Sequence, residues 1–160
     1  MKKRKNKPFI EVRDSGIQGR GVFAIRKIKR GQRIIEYTGE IISVDEEAER
    51  YDDENMDRHH TFLFSIDEEK TIDAGTIGSD AKYINHSCNP NCETINDSDR
   101  IFIEAIRSIE PGEELTYDYL FEVDEDELTE ELKERYVCRC GAPNCRGTIL
   151  NINDIQTVDE

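Results

Sequence analysis

The sequence contains no tryptophan, only two methionines and four prolines, and no long apolar run. A membrane-spanning helix needs about 18 or more consecutive apolar residues, so the pattern excludes one. The first residues are charged and lack the apolar segment of a signal peptide, so we expect an intracellular protein. At 160 residues with 36% hydrophobic content, the chain is expected to form one domain with a modest core.

Basic residues are also scarce. The chain has 22 Lys and Arg against 36 Asp and Glu, for a formal charge of -14, and five of the basic residues lie within Met1–Lys7. Binding to phosphate backbones needs a basic face, so nucleic acid is not expected as a direct partner. An acidic surface favours a basic protein or peptide as partner, although solubility alone explains it equally well. Lys2–Lys5 is a weak candidate for a nuclear signal and reads more simply as a solvated tail.

The five cysteines are odd in number, and their clustering favours a metal site over a disulfide framework. Cys138, Cys140 and Cys145 form the pattern Cys-x-Cys-x4-Cys. A structural zinc ion takes four ligands in a tetrahedron, so one thiol is missing. Spacing alone leaves Cys88 and Cys92 as candidates, with Cys92 more simply a small packed residue. The alternatives to a metal site are a reduced, unliganded tail or, more remotely, a secreted disulfide-rich protein.

Short apolar segments separated by glycine and turn residues predict a mainly β domain rather than a doubly wound α/β one. Ser43 and Glu46 form a capping box that predicts a helix to about Asn55. Asp124 with Glu127 predicts a second, acidic helix to about Tyr136. The predicted strands are Phe9–Arg13, Val22–Ile25, Ile34–Tyr37, Gly39–Ile42, Thr61–Ile66, Lys70–Ala74, Glu93–Ile95, Arg100–Ile106 and Leu115–Leu120.

Three segments carry side chains suited to a functional site. Tyr83–Pro90 contains Asn-His-Ser-Cys, which offers two polar side chains for a ligand and a thiol for a metal. Ser15–Phe23 contains Gly-Arg-Gly, whose glycines let backbone approach a ligand, or simply form a turn. Tyr117 and Tyr119 share one face of a strand, where they form either an aromatic slot or ordinary packing.

Taken together and in this order, these segments resemble the SET-domain protein lysine methyltransferases. The resemblance extends from about Phe9 to Leu150 and ends on the family's post-SET zinc motif. Four motifs in the same order make coincidence very improbable. The matching segments are Gly19–Gly21, Tyr37–Glu40, Asn85–Asn91, Gly112–Tyr119 and the terminal Cys-x-Cys-x4-Cys.

The resemblance implies a fold of the β-clip type: mainly β, with several small sheets and two short helices. A pseudoknot-like thread is expected to join Asn85–Cys88 to Leu115–Tyr119, and the C-terminal tail is expected to bind zinc. The implied organisation is a basic flexible tail at 1–8, a SET domain at 9–121, an acidic helical segment at 122–136, a post-SET zinc motif at 137–153 and a tail at 154–160.

The resemblance also implies S-adenosylmethionine as the methyl donor and one structural zinc ion. Phe62 stands where many relatives carry a tyrosine, and its lack of a hydroxyl removes one contact. By position, the implied zinc ligands are Cys88, Cys138, Cys140 and Cys145. The implied cofactor contacts are Gln18, Gly19, Arg20, Gly21, Phe62, Asn85, His86 and Arg139.

Tyr119 matches the family's catalytic tyrosine, which orients the amine of a substrate lysine. Tyr117 matches the position that limits how many methyl groups fit, so mono- or dimethylation of a histone or another basic protein is expected. The alternative is a catalytically weak SET-like module that binds lysine-containing segments, which only Phe62 favours. A non-histone target is compatible with the same residues.

Overall fold

The computed structural model describes residues 8–51, 62–121 and 123–152. Most of the basic tail predicted at 1–8, the helical residues predicted at 52–55, Thr61 and the tail predicted at 154–160 lie outside these ranges. No helix within the described ranges is long and apolar enough to span a membrane.

Within the described ranges, ten short strands form four small sheets, which confirms the mainly β prediction. The β1–β2 and β7–β10 sheets have two strands each, and the others have the orders β3-β9-β8 and β4-β6-β5. The strands are β1 Ile10–Asp14, β2 Arg20–Ala24, β3 Arg33–Tyr37, β4 Glu40–Ser43, β5 Leu63–Ser65, β6 Lys70–Asp73, β7 Asn85–His86, β8 Cys92–Asp97, β9 Arg100–Ala105 and β10 Thr116–Tyr117.

Two short α-helices accompany the sheets in the described part of the chain, as predicted. Helix α1, Val44–Arg50, begins where expected, because Ser43 Oγ accepts a hydrogen bond from the Glu46 amide at 3.1 Å. Helix α2, Glu130–Arg135, begins later than predicted: its N-cap is Thr129, whose hydroxyl accepts from Leu132 N at 3.0 Å.

The predicted cap at Asp124 was wrong. The side chain of Asp124 makes no capping hydrogen bond, and the acidic residues that follow form only a 3-10 turn, Glu125–Glu127. Adjacent carboxylates repel one another, and Thr129 supplies the hydroxyl that a helix start needs. The acidic segment is therefore a turn followed by a short helix.

The β8–β9 hairpin turns between the two predicted strands Glu93–Ile95 and Arg100–Ile106. Ser98 and Asp99 both have positive φ, at 54° and 66°, which is the geometry of a two-residue turn that matches the twist of the strands. The Asn96 side chain closes the turn by accepting from Asp99 N at 3.0 Å. Strand β9 lies at the centre of its sheet and directs Ile101 and Ile103 into the core, where they are 2% and 0% exposed.

Strands β7 and β10 pair in parallel, with Asn85 opposite Thr116 and His86 opposite Tyr117. Asn91 extends this contact, because its Nδ2 donates to Glu114 O at 2.8 Å and its Oδ1 accepts from Thr116 N at 2.9 Å. The two segments that the predicted pseudoknot requires to be neighbours are therefore adjacent, although about thirty residues separate them in sequence.

Gly39 tests how closely the connection between β3 and β4 packs against the end of β6. A Cβ at Gly39 would lie 2.5 Å from the backbone oxygen of Asp73, whereas a Cβ at Gly16 would meet nothing within 4 Å. We expect Gly39→Ala to lower the free energy of unfolding by about 1–3 kcal/mol through overpacking. Urea denaturation measures this, with Gly16→Ala as the matched control. Equal stability of the two variants would contradict the described packing.

Candidate active site and metal centre

Aromatic side chains surround the end of β10. Tyr117 is buried, and its ring centroid lies 4.9 Å from that of Tyr119 and 6.4 Å from that of Phe64. Tyr37, also buried, packs against Phe64 with the two rings tilted and their centroids 5.2 Å apart. The two tyrosines singled out by the sequence thus lie side by side within one aromatic cluster.

Tyr119 is fixed at both its backbone and its hydroxyl. Its amide donates to Nδ1 of His86 at 3.0 Å, and its hydroxyl donates to the carbonyl of Ile84. The ring also meets His86 and Phe121 edge-on, at centroid distances of 5.4 and 5.7 Å. Because the hydroxyl proton is committed to Ile84, the oxygen remains able to accept a hydrogen bond from an incoming amine.

Both tyrosines are neutral phenols at physiological pH. Burial raises the pKa of Tyr119, and the nearby Tyr37 and Glu114 raise it further. Burial also raises the pKa of Tyr117, with Tyr119 as the next contribution. Because the raised pKa keeps each phenol protonated at pH 7, neither side chain is present as a phenolate that could take up a proton.

Asn85 holds the glycine loop, the Gly-Arg-Gly segment within residues 15–23, against β7. Its Nδ2 lies 3.0 Å from Arg20 O and 3.1 Å from Gln18 O. The same nitrogen is 2.9 Å from Oε1 of Glu114, which also accepts from the Ser15 hydroxyl at 2.7 Å. One amide with two protons is thus shared among several acceptors and draws loop, strand and Glu114 together.

Glycine is required at position 21 for a local reason. A Cβ on Gly21 would lie 2.1 Å from Oε1 of Glu114, the carboxylate that anchors the loop. Gly19 has a φ of 48°, which favours glycine as well. The side chain of Arg20, between them, is exposed.

Two further residues implied as cofactor contacts, Phe62 and Arg139, lie outside the glycine loop and β7. Phe62 meets Tyr83 edge-on at 5.5 Å, and Nζ of Lys82 lies 5.3 Å from the Phe62 ring centroid. Arg139 lies in the cysteine-rich tail with its side chain exposed.

Four thiols converge beside β7. The Sγ atoms of Cys88, Cys138, Cys140 and Cys145 all lie within 4.8 Å of one another, and those of Cys88 and Cys138 are 3.8 Å apart. Zn–S bonds of ~2.3 Å in a tetrahedron separate sulfurs by about 3.8 Å, so the set fits one zinc ion. Cys92, the other candidate from spacing, is instead packed in the core at 1% exposure.

His86 links the thiols to Tyr119. Burial lowers the pKa of His86 to about 4, against the opposing charge of Asp118, so its ring is neutral at pH 7. Since Nδ1 accepts from Tyr119 N, the ring proton resides on Nε2, which lies 3.4 Å from Sγ of Cys88. A donor at this distance stabilises a metal-bound thiolate and fixes the orientation of the ring.

The SET domain family matches residues 19–120, more than half of the chain. This chain belongs to the SET-domain family. The matched region contains Gly19–Gly21 of the glycine loop, the Asn85–His86 strand and both tyrosines, so the geometry described above is that of a SET domain.

Relatives of this SET domain are much longer proteins. The chain is 41% identical over 136 residues to "Histone-lysine N-methyltransferase trr" of Drosophila melanogaster, covering 82% of this chain and 5% of that protein. It is 41% identical over 152 residues to "Histone H3-lysine(4) N-trimethyltransferase ATX1" of Arabidopsis thaliana, covering 91% and 13%. It is 40% identical over 154 residues to "Histone-lysine N-methyltransferase, H3 lysine-4 specific" of Saccharomyces cerevisiae, covering 92% and 13%.

Several residues of this SET domain contribute in ways that their sequence context did not assign. Glu114 and Ser15 anchor the glycine loop, and Asn91 bridges the strand pair. Asp118, between the two tyrosines, accepts two hydrogen bonds from the guanidinium group of Arg146, at 2.7 and 3.1 Å. Arg139 and Arg146 both lie next to cysteines of the tail. The spacing therefore marks both as candidates for a buried ion pair and does not indicate which of them turns inward.

Cys88 allows the link between thiols and cofactor to be tested. We expect Cys88→Ser to abolish stoichiometric zinc binding, because a serine hydroxyl is a poor replacement for a thiolate. The same change should weaken binding of S-adenosylmethionine, since His86 and Asn85 precede Cys88 on one short segment. Elemental analysis measures zinc, and titration calorimetry measures cofactor affinity.

Cys92→Ala is the matched control and should retain one zinc ion per chain. Full zinc content in Cys88→Ser would contradict the proposed ligand set. Normal cofactor affinity in a zinc-free Cys88→Ser protein would contradict the link between the two sites.

Proposed function

We propose that this chain is an S-adenosylmethionine-dependent methyltransferase that modifies the side-chain amine of lysine in a protein. The observation that carries the proposal is the fixed pair of Tyr117 and Tyr119 at the end of β10. This strand pairs with Asn85–His86, so the predicted amine site adjoins the predicted cofactor site.

The proposed cofactor site uses the glycine loop and β7. Backbone groups of Gln18, Gly19 and Gly21 would border the cofactor, together with Asn85 and His86. The amide of Asn85 donates to loop carbonyls and so holds the loop beside β7, which supports a common site for the two segments. S-adenosylmethionine, when bound, supplies a methyl group on a positively charged sulfur. Arg20, Phe62 and Arg139 join this set by resemblance to the family.

The chain's own residues address the main chemical difficulty, which is the charge of lysine. A free lysine amine has a pKa of ~10.4 and must lose its proton before it can attack a methyl group. Removal of the amine from water among Tyr37, Tyr117 and Tyr119 lowers its pKa. The hydroxyl oxygen of Tyr119 then accepts a hydrogen bond from the amine and directs its lone pair, so that much of the rate comes from positioning.

The thiol cluster has a structural part in this proposal. Cys88, Cys138, Cys140 and Cys145 would hold one zinc ion with four thiolates, leaving no position for substrate. The cluster would join the post-SET zinc motif at 137–153 to the SET domain at 9–121, with the acidic segment at 122–136 between them.

A basic, lysine-containing segment is the proposed substrate. The formal charge of -14 favours a basic partner, because opposite charge raises its local concentration. The relatives from Arabidopsis and yeast carry names that specify lysine 4 of histone H3, which makes a histone H3 tail the first substrate to assay.

Tyr119→Phe tests the reaction. Loss of the hydroxyl should reduce methyl transfer by roughly 10²-fold, because the amine is no longer oriented. Transfer of a radiolabelled methyl group to a mixture of basic proteins measures this. Tyr51→Phe is the matched control, since it removes a phenolic hydroxyl that donates to Asp73 at 2.8 Å outside the site. Tight cofactor binding by the unmodified protein without transfer to any lysine would instead support the binding-module alternative.

Tyr117 is proposed to limit the product to mono- or dimethyllysine. Its buried hydroxyl occupies space that added methyl groups would need, so Tyr117→Phe should shift the product toward trimethyllysine. Intact-mass analysis of a methylated peptide over time distinguishes these products. Trimethylated product from the unmodified protein at early times would overturn the proposal, and one relative is named a trimethyltransferase.

A further inference from the structure

Arg146, in the cysteine-rich loop, forms an ion pair with Asp118, which lies directly after β10 and between the two tyrosines. Its two terminal nitrogens donate to the two carboxylate oxygens of Asp118, at 2.7 and 3.1 Å. The side chains are only 10% and 20% exposed. Arginine in this two-point geometry fixes orientation as well as distance, and partial burial limits screening by salt.

The carboxylate of Asp118 faces the ring that positions Tyr119. Its Oδ1 lies 3.5 Å from Nδ1 of His86, the atom that accepts from Tyr119 N. Two acceptors at this distance do not bond to each other. Arg146 occupies both oxygens of Asp118, so the carboxylate has its own donor and the Tyr119 amide keeps its bond to His86.

The loop at 138–147 has few other attachments to the body of the domain. Among the described residues, its remaining hydrogen bonds to the SET domain end at Cys88: Asn144 Nδ2 donates to its carbonyl at 3.2 Å and Arg146 N to its sulfur at 3.4 Å. Those contacts belong to the thiol cluster. The Arg146–Asp118 pair reaches a different segment, the residue that directly follows β10, and needs no metal.

We propose that Arg146 is a positioning residue that docks the cysteine-rich loop onto Asp118 independently of the metal and thereby holds His86 and Tyr119 in place. The docking part of this inference stands on the ion pair alone. Its kinetic consequence rests on the proposed methyltransferase function, so the two are measured separately.

Hydrogen exchange measured by mass spectrometry tests the docking. Peptides from 138–147 and 117–121 are followed before and after zinc removal by a chelator, in the unmodified protein, in Arg146→Gln and in Asp118→Asn. Arg107→Gln is the matched control, because Arg107 forms an exposed ion pair with Glu113. This readout does not depend on catalysis.

In the metal-free unmodified protein, we expect exchange in 138–147 to stay slower than in metal-free Arg146→Gln by roughly tenfold or more. Arg107→Gln should behave like the unmodified protein. Equal exchange in the unmodified and Arg146→Gln proteins, with or without metal, would overturn the proposal. Asp118→Asn provides the same comparison should Arg146→Gln fail to fold.

The double variant Asp118→Asn/Arg146→Gln distinguishes the pair from a purely structural arginine. Arg146→Gln alone leaves the Asp118 carboxylate without its charged partner beside His86, with the Leu120 amide still donating to Oδ1 at 3.0 Å. The added Asp118→Asn removes the negative charge. Partial recovery of slow exchange at 117–121 in the double variant is therefore expected. If the change in exchange in the double variant equals the sum of the changes in the two single variants, the two residues are not a coupled pair.

Steady-state kinetics then measures the consequence for the site. Arg146→Gln should lower kcat more than it raises KM for the protein substrate, because the effect acts on Tyr119 rather than on the substrate surface. An equal effect of Arg107→Gln would count against the assignment. If the chain proves catalytically inactive, the exchange measurements still decide the docking proposal.

Discussion

The parallel pairing of β7, Asn85–His86, with β10, Thr116–Tyr117, is the contact on which the rest of the site depends. The pairing is short, and two pairs of residues alone would hold the strands together weakly. Asn91 and the thiol cluster reinforce it from either side, one through its amide and the other through Cys88. Because the pairing joins distant segments, loss of order in one is transmitted directly to the other.

This arrangement explains why three chemical functions occupy one short segment. Asn85 faces the glycine loop, His86 supports the amide of Tyr119, and Cys88 turns toward the thiols of the tail. The neutral ring of His86 is central, because one nitrogen accepts from Tyr119 while the other lies next to the Cys88 sulfur. The thiol cluster, the glycine loop and Tyr119 are therefore parts of one hydrogen-bonded unit.

Much of the fold followed from the sequence, because short apolar strands and turn residues are local signals. The turn at Ser98–Asp99 and the cap at Ser43 are examples. The start of α2 was misjudged, because Asp124 and Thr129 are both good caps by residue type and only Thr129 makes a capping hydrogen bond in the folded chain.

The site was predictable where motifs fix the spacing and not where tertiary packing decides. Alternation along the predicted strand Leu115–Leu120 placed Tyr117 and Tyr119 side by side, although the strand itself covers only Thr116–Tyr117. Spacing left Cys88 and Cys92 open until the family pattern favoured Cys88. Only the folded chain shows that Arg146, and not Arg139, carries the tail's buried ion pair. Such contacts depend on register between segments that sequence periodicity does not encode.

The central claim is that this SET domain transfers a methyl group to a lysine amine. Incubation of the purified, zinc-loaded chain with S-adenosylmethionine carrying a heavy methyl group and the proteome of its source, followed by tandem mass spectrometry, maps every labelled residue. The account predicts label on lysine side chains within basic segments. Label confined to other residue types, or no label despite tight binding of the cofactor, would contradict it.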